Sequence, residues 1–208
     1  MYYDKKELIA KQVNTSDRVL DVGFLGQGIQ EGDEYWPHTL LKKQAKEVYG
    51  VDLELTEQYA HDAHYQAASA EAFSFPITFD LIFAGDLIEH LSNPGLFLEC
   101  CKKSLAPGGR LLITTPNTFN LFNMTEKITK REPTVNADHT CYFNRKTLRT
   151  LLEKNGMEIV EVSFLYSLGY TYTESWKKKF LNALYWVTSK CTDKFIETLV
   201  VVAKAKKI

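Results

Sequence analysis

Val19-Leu20-Asp21-Val22-Gly23-Phe24-Leu25-Gly26-Gln27-Gly28 is the stretch on which the fold turns. Apolar residues lead into a carboxylate, and a glycine-rich run follows at once. The pattern predicts a first strand over residues 18–22, set off by the turn residues Ser16 and Asp17. Glycine lets the backbone approach a ligand where a Cβ would clash. In an open parallel sheet, ligands sit beyond the carboxyl ends of the strands, near the point where strand order reverses. Asp21 and the run from Gly23 to Gly28 therefore fall where a nucleotide-like cofactor belongs.

Beyond this loop, short apolar runs alternate with helical patterns, which predicts a doubly wound α/β fold around a mostly parallel sheet. Further strands are predicted at 48–51, 65–68, 79–84, 110–114, 157–164 and 197–203. Helices are predicted at about 35–46, 54–61, 94–105 and 145–154. Pro94 suits a first helical turn, Pro107-Gly108-Gly109 breaks the chain, and Asn155-Gly156 is a helix C-terminal signal. The whole chain, 1–208, reads as one domain, with 117–143 and 165–194 as acceptor-side cap elements within it. The second of these is rich in aromatic residues, and 176–189 has an amphipathic helical pattern that would form a lid, a homodimer face or packing on the sheet edge. Lys177 to Lys179 beside Trp176 and Phe180 hint at a membrane surface, but Asn182, Thr188 and Ser189 interrupt the apolar face.

Bulk composition narrows the partners. With a formal net charge of -1, nothing points to nucleic acid. The N-terminus is too polar for a signal peptide, and no apolar run nears the ~18 residues of a membrane span, so a cytoplasmic location is expected. Cys100, Cys101, Cys141 and Cys191 form no C-x-x-C pair and no local His cluster accompanies them, so neither a metal site nor a disulfide framework is expected.

Asp52 closes the second strand, where a carboxylate can accept hydrogen bonds from both hydroxyls of a ribose. That feature is shared with dinucleotide-binding folds. Asp21 separates the two cases: a carboxylate beside a pyrophosphate would repel it, whereas S-adenosylmethionine carries an ammonium and a sulfonium. Ser69-Ala70-Glu71 follows the third strand and suits an adenine edge, and Gly85-Asp86 follows the fourth and suits the methionine part.

These motifs, with Phe79-Asp80-Leu81-Ile82, Asp86-Leu87-Ile88-Glu89-His90-Leu91-Ser92-Asn93-Pro94, Leu105-Ala106-Pro107-Gly108-Gly109 and Thr115-Pro116-Asn117, resemble in order and spacing a class I S-adenosylmethionine-dependent methyltransferase. Within that class the chain is similar to the small ubiquinone-type O-methyltransferases, including members tied to polysaccharide pathways. The resemblance implies a Rossmann-like sheet with an antiparallel last strand. It places Asp21, Gly23 and Gly26 at the methionine part, with Phe24 and Gln27 in the same loop. It places Asp52 at the ribose, and Leu53, Ser69, Ala70 and Glu71 around the adenine. Three departures stand out: Phe24-Leu25 lengthens the loop, Ser69 replaces the usual acid, and the next helix starts late, after Trp36-Pro37-His38.

Methyl transfer is an in-line displacement at a carbon already activated by the sulfonium, so alignment and exclusion of water do most of the work. A base helps where a hydroxyl or amine must lose its proton. His139 and His90 are the catalytic candidates, and His38 a cofactor or helix contact. The expected reaction is transfer of methyl from S-adenosylmethionine, leaving S-adenosylhomocysteine, to an oxygen of a small molecule or glycan. The alternative is a methyltransferase-like domain that binds without catalysing.

Overall fold

The computed structural model describes residues 1–26, 33, 35–129, 132–133, 136–166, 185–187, 189, 192 and 195–206. In chain order the helices are α1 (Lys5–Gln12), α2 (Pro37–Gln44), α3 (Glu57–Ala60), α4 (Pro94–Ser104), α5 (Leu121–Thr129) and α6 (Arg145–Lys154). The strands are β1 (Arg18–Val22), β2 (Glu47–Asp52), β3 (Tyr65–Ala67), β4 (Phe79–Gly85), β5 (Leu105–Pro116), β6 (Met157–Leu165) and β7 (Thr198–Ala205). They form one sheet in the order β3-β2-β1-β4-β5-β7-β6. β1 runs parallel to both β2 and β4, and β7 is antiparallel to both β5 and β6. This is the doubly wound sheet with an antiparallel last strand that the sequence implied. Strand order reverses between β1 and β4, so their carboxyl ends diverge and open a crevice.

Alternation along the strands sends side chains to two cores. Leu81, Phe83, Leu112, Val200 and Val202 pack on Leu8 and Ile9 of α1 and on Leu40 and Leu41 of α2. Ile82, Ala84, Leu111, Ile113 and Val201 face Phe97, Leu98 and Cys101 of α4 and Leu148 and Leu152 of α6. A strand buried on both faces reads as a continuous apolar run, which is why β4 was legible.

Some boundaries differ from the sequence reading. β5 begins at Leu105, not at Arg110. Pro107-Gly108-Gly109 is a bulge inside the strand, because pairing to β4 jumps from Phe79↔Leu105 to Leu81↔Arg110. Gly108 has φ +83, and a Cβ on Gly109 would lie 2.8 Å from the Phe79 carbonyl oxygen. α1 and α5 were not anticipated, and the helix expected at 54–61 is limited to α3. α6 ends as its sequence suggested, with Gly156 following the C-terminus at φ +76, and it starts on a reciprocal capping box of Asn144 and Thr147. The amphipathic pattern at 176–189 lies almost wholly outside the described residues. Among those residues, no helix is long and apolar enough to cross a membrane.

Candidate cofactor and acceptor site

The glycine loop leaves β1 through Gly23, whose φ of +75 is the left-handed conformation that favours glycine. The Gly23 N–H donates to the Val51 carbonyl at 2.8 Å, which ties the loop to β2. Asp52 completes the tie. Its Oδ2 accepts from the Leu25 N–H at 2.9 Å and its Oδ1 from the Leu53 N–H at 2.8 Å. Each oxygen keeps capacity for a second donor, so the carboxylate fits a pair of ribose hydroxyls. Beside it the Leu53 side chain is 72% exposed and offers an apolar surface to a purine. Gly26 lies at the described end of the loop, while Gln27 and Gly28 lie outside the described residues.

Two of the residues expected at the cofactor are buried. Asp21 does not present an open carboxylate: it is 2% exposed, and its Oδ2 lies 3.0 Å from Nδ1 of His38. Burial pushes its pKa up, with His38 working in the opposite direction. The Phe24 ring is likewise buried, packed with Trp36 and Tyr59, so its side chain anchors the loop instead of lining the crevice.

On the adenine side, Ser69 Oγ accepts from the Glu71 N–H, and Glu71 Oε1 accepts from the Asn93 N–H at 2.7 Å. Glu71 thus pins the segment before α4, while Ala70 packs partly buried against the core. Across the crevice, a Cβ on Gly85 would meet the Phe83 ring at 2.8 Å. Asp86 follows with φ +51, held there because its N–H reaches the Thr114 carbonyl at 2.9 Å and Thr114 Oγ1 at 3.1 Å. Its Oδ2 accepts from Lys5 Nζ at 2.9 Å, which brings α1 to the site.

The acceptor end is built by a stitch between distant segments. The N–H groups of Thr140 and Cys141 both donate to the Glu89 carbonyl, and Thr140 Oγ1 donates to the Leu91 carbonyl at 2.7 Å. This docks His139 on His90, with ring centroids 4.6 Å apart and planes at 88°. Both predicted catalytic histidines are thereby brought together. Glu89 joins them: its ligand atom and those of His90 and His139 lie within 4.8 Å of one another, a spacing that could hold a divalent cation. No metal ligands were expected from the sequence because His139 lies far along the chain from the adjacent Glu89 and His90.

Glu89 lies inside the motif after β4, whose pattern alone gives it no role. Its Oε2 accepts from Thr115 Oγ1 at 2.8 Å, while its buried Oε1 has no partner among the described residues. Burial first, and the nearby charge of Asp86 second, push this carboxyl up to about 7. His139 is pushed down by burial and by His90. Glu197, just before β7, also has a buried oxygen without a partner and is pushed up to about 7 by burial and Asp86. No motif marked Glu197, because only the antiparallel entry of β7 carries it to this edge.

Residues 2–162 match the family described as methyltransferase domain. The chain belongs to that family. The methyltransferase-domain match takes in the glycine loop, Asp52, Glu89, His90 and His139. Among curated relatives, the human mitochondrial ubiquinone biosynthesis O-methyltransferase is 33% identical over 90 residues, covering 41% of this chain and 24% of the relative. The chain thus spans about a quarter of that protein's length. The ubiquinone biosynthesis O-methyltransferase of Azoarcus sp. (strain BH72) is 26% identical over 162 residues, covering 70% and 66% of the two chains. Two solved structures bear on the fold alone. A SAM-dependent methyltransferase from Archaeoglobus fulgidus has a TM-score of 0.60 at 18% identity, covering 96% of this chain and 94% of its own. A methyltransferase described as putative, from Bacillus halodurans, has a TM-score of 0.59 at 19% identity and covers 98% of both.

Proposed function

We propose that the protein transfers the methyl group of S-adenosylmethionine to a hydroxyl oxygen of a small molecule. The observation that carries this reading is the convergence of Glu89, His90 and His139 after β4, the neighbour of the strand that leads into the glycine loop, with Leu87 of the same segment lying against Gly23. Asp52 would hold the ribose, Leu53 and Ala70 the adenine, and the loop from Gly23 the methionine part. The bound cofactor supplies a methyl group that needs no further activation. What the chain adds is a place to orient the acceptor and to take its proton.

His139, pushed down by burial, is free of its proton at neutral pH and is suited to act as that base. His90 packs edge-on against it and fixes its position. A second use of the same groups is favoured by the bare Oε1 of Glu89: with both imidazoles it would hold a divalent cation that makes the acceptor hydroxyl more acidic. Transfer to oxygen agrees with the names of the curated relatives.

Calorimetry with S-adenosylhomocysteine tests the cofactor half, and no binding at millimolar concentration would sink it. An acceptor screen by mass spectrometry, run with and without EDTA, tests the rest. Methylation found only on nitrogen would overturn the assignment to oxygen.

A further inference from the structure

The proposed reaction gives His38 no task, yet it is 1% exposed and its ring makes two polar contacts. Nδ1 lies 3.0 Å from Asp21 Oδ2, and Nε2 lies 3.0 Å from the Tyr65 hydroxyl. The three groups link the end of β1, the first turn of α2 and the start of β3. Aromatic rings enclose the chain of contacts. Phe24, Trp36, Tyr65 and Tyr59 have centroids 4.7, 5.2, 5.6 and 6.1 Å from that of His38. Trp36 Nε1 donates to the Phe24 carbonyl at 2.8 Å, so the cage also grips the loop backbone. Gly50 leaves the room this needs, since a Cβ there would lie 2.7 Å from Tyr65 and 2.8 Å from Phe24.

We propose that His38 is the positioning residue of the cofactor loop, holding Asp21 ionised and in place beneath it, with Tyr65 setting the orientation of His38. Among the proton arrangements that satisfy both contacts, one leaves a net charge on Asp21. The neutral imidazole donates from Nδ1 to the carboxylate and accepts at Nε2 from the Tyr65 hydroxyl. A buried carboxylate needs such a donor to stay charged. That negative charge favours the cationic cofactor over its neutral-sulfur product, because only the former carries the sulfonium. This also accounts for two departures of the sequence. Phe24 and Leu25 lengthen the loop so that one ring closes the cage, and the late start of α2 brings His38 under Asp21.

The inference rests on the cofactor reading above, and binding experiments keep the two apart. Wild-type protein that binds neither S-adenosylmethionine nor S-adenosylhomocysteine would defeat that reading. With wild-type binding established, His38→Phe retains the packing and removes the donor. It is expected to weaken both ligands by roughly 5–10-fold, as for loss of one hydrogen bond, and to shrink the preference for S-adenosylmethionine. Tyr65→Phe keeps the ring and removes only the hydroxyl, with an expected loss of roughly 3–5-fold. Wild-type affinity in Tyr65→Phe, or an equal loss of both ligands in His38→Phe, would overturn the proposal. If His38→Phe does not fold, Tyr65→Phe decides alone.

Discussion

Glu89 and Glu197 are carboxyls that burial holds protonated up to about 7, against an ordinary value near 4.5. The unfolded chain loses these protons first. Their contribution to stability is therefore complete below about 4.5 and is lost as the pH rises through about 7. The loss is roughly 3 kcal/mol per group at most. Urea unfolding from pH 4.5 to 7.5 is expected to show this decline, and Glu197→Gln to flatten part of it; an unchanged slope would exclude the effect. At Asp52, replacement by Ala removes the ribose acceptor and is expected to weaken S-adenosylhomocysteine on the order of 100-fold, read by calorimetry. His139→Ala is expected to lower turnover by about 10²–10⁴-fold and leave that affinity intact. Asp52 and Gly23 stood out because they lie next to strand ends, and His90 and His139 because an imidazole in the segments after β4 and β5 is suited to take a proton. The partner of Asp21 was not legible: an Asp–His bond across a turn depends on where α2 starts, which the loop decides.

At the level of elements, legibility followed burial. β4, β6 and α4 carry long apolar signals and were found nearly to the residue. α1 places only Leu8 and Ile9 in the core, too short a stripe to announce a helix, although Asp4 caps it by accepting from the Glu7 N–H. The cost of removing that short stripe is measurable: Leu8→Ala is expected to destabilise the protein by roughly 2–5 kcal/mol in urea unfolding. The β5 bulge was misread as a stop because Pro and Gly signal a break whether or not the strand resumes. Gly109→Ala forces a Cβ against the Phe79 carbonyl and is expected to cost about 1–3 kcal/mol, whereas Gly108, with open space around it, is constrained by its φ alone. If Gly109→Ala unfolds at the wild-type urea midpoint, the bulge is more compliant than its geometry implies.

Across the whole molecule, the alternation of strands and helices was enough to give the class, and right-handed crossovers fix how the parallel part winds. What alternation could not give is the closure of the far edge. There Tyr2 bridges Leu165, with its N–H donating to the Phe164 carbonyl and the Tyr166 N–H returning to the Tyr2 carbonyl at 2.8 Å. The position of β7 has a consequence for synthesis. β6 leaves the ribosome before β7, yet it joins the sheet only through β7. A nascent chain that has emerged as far as Leu165 can pair β1 to β5, but it must carry a bare β5 edge, with β6 held only at its end by Tyr2, until residues 198–205 have followed. That interval exposes Leu111, Ile113 and Phe164 to other chains, so slow decoding after residue 165 would favour aggregation, and a holding chaperone would suppress it.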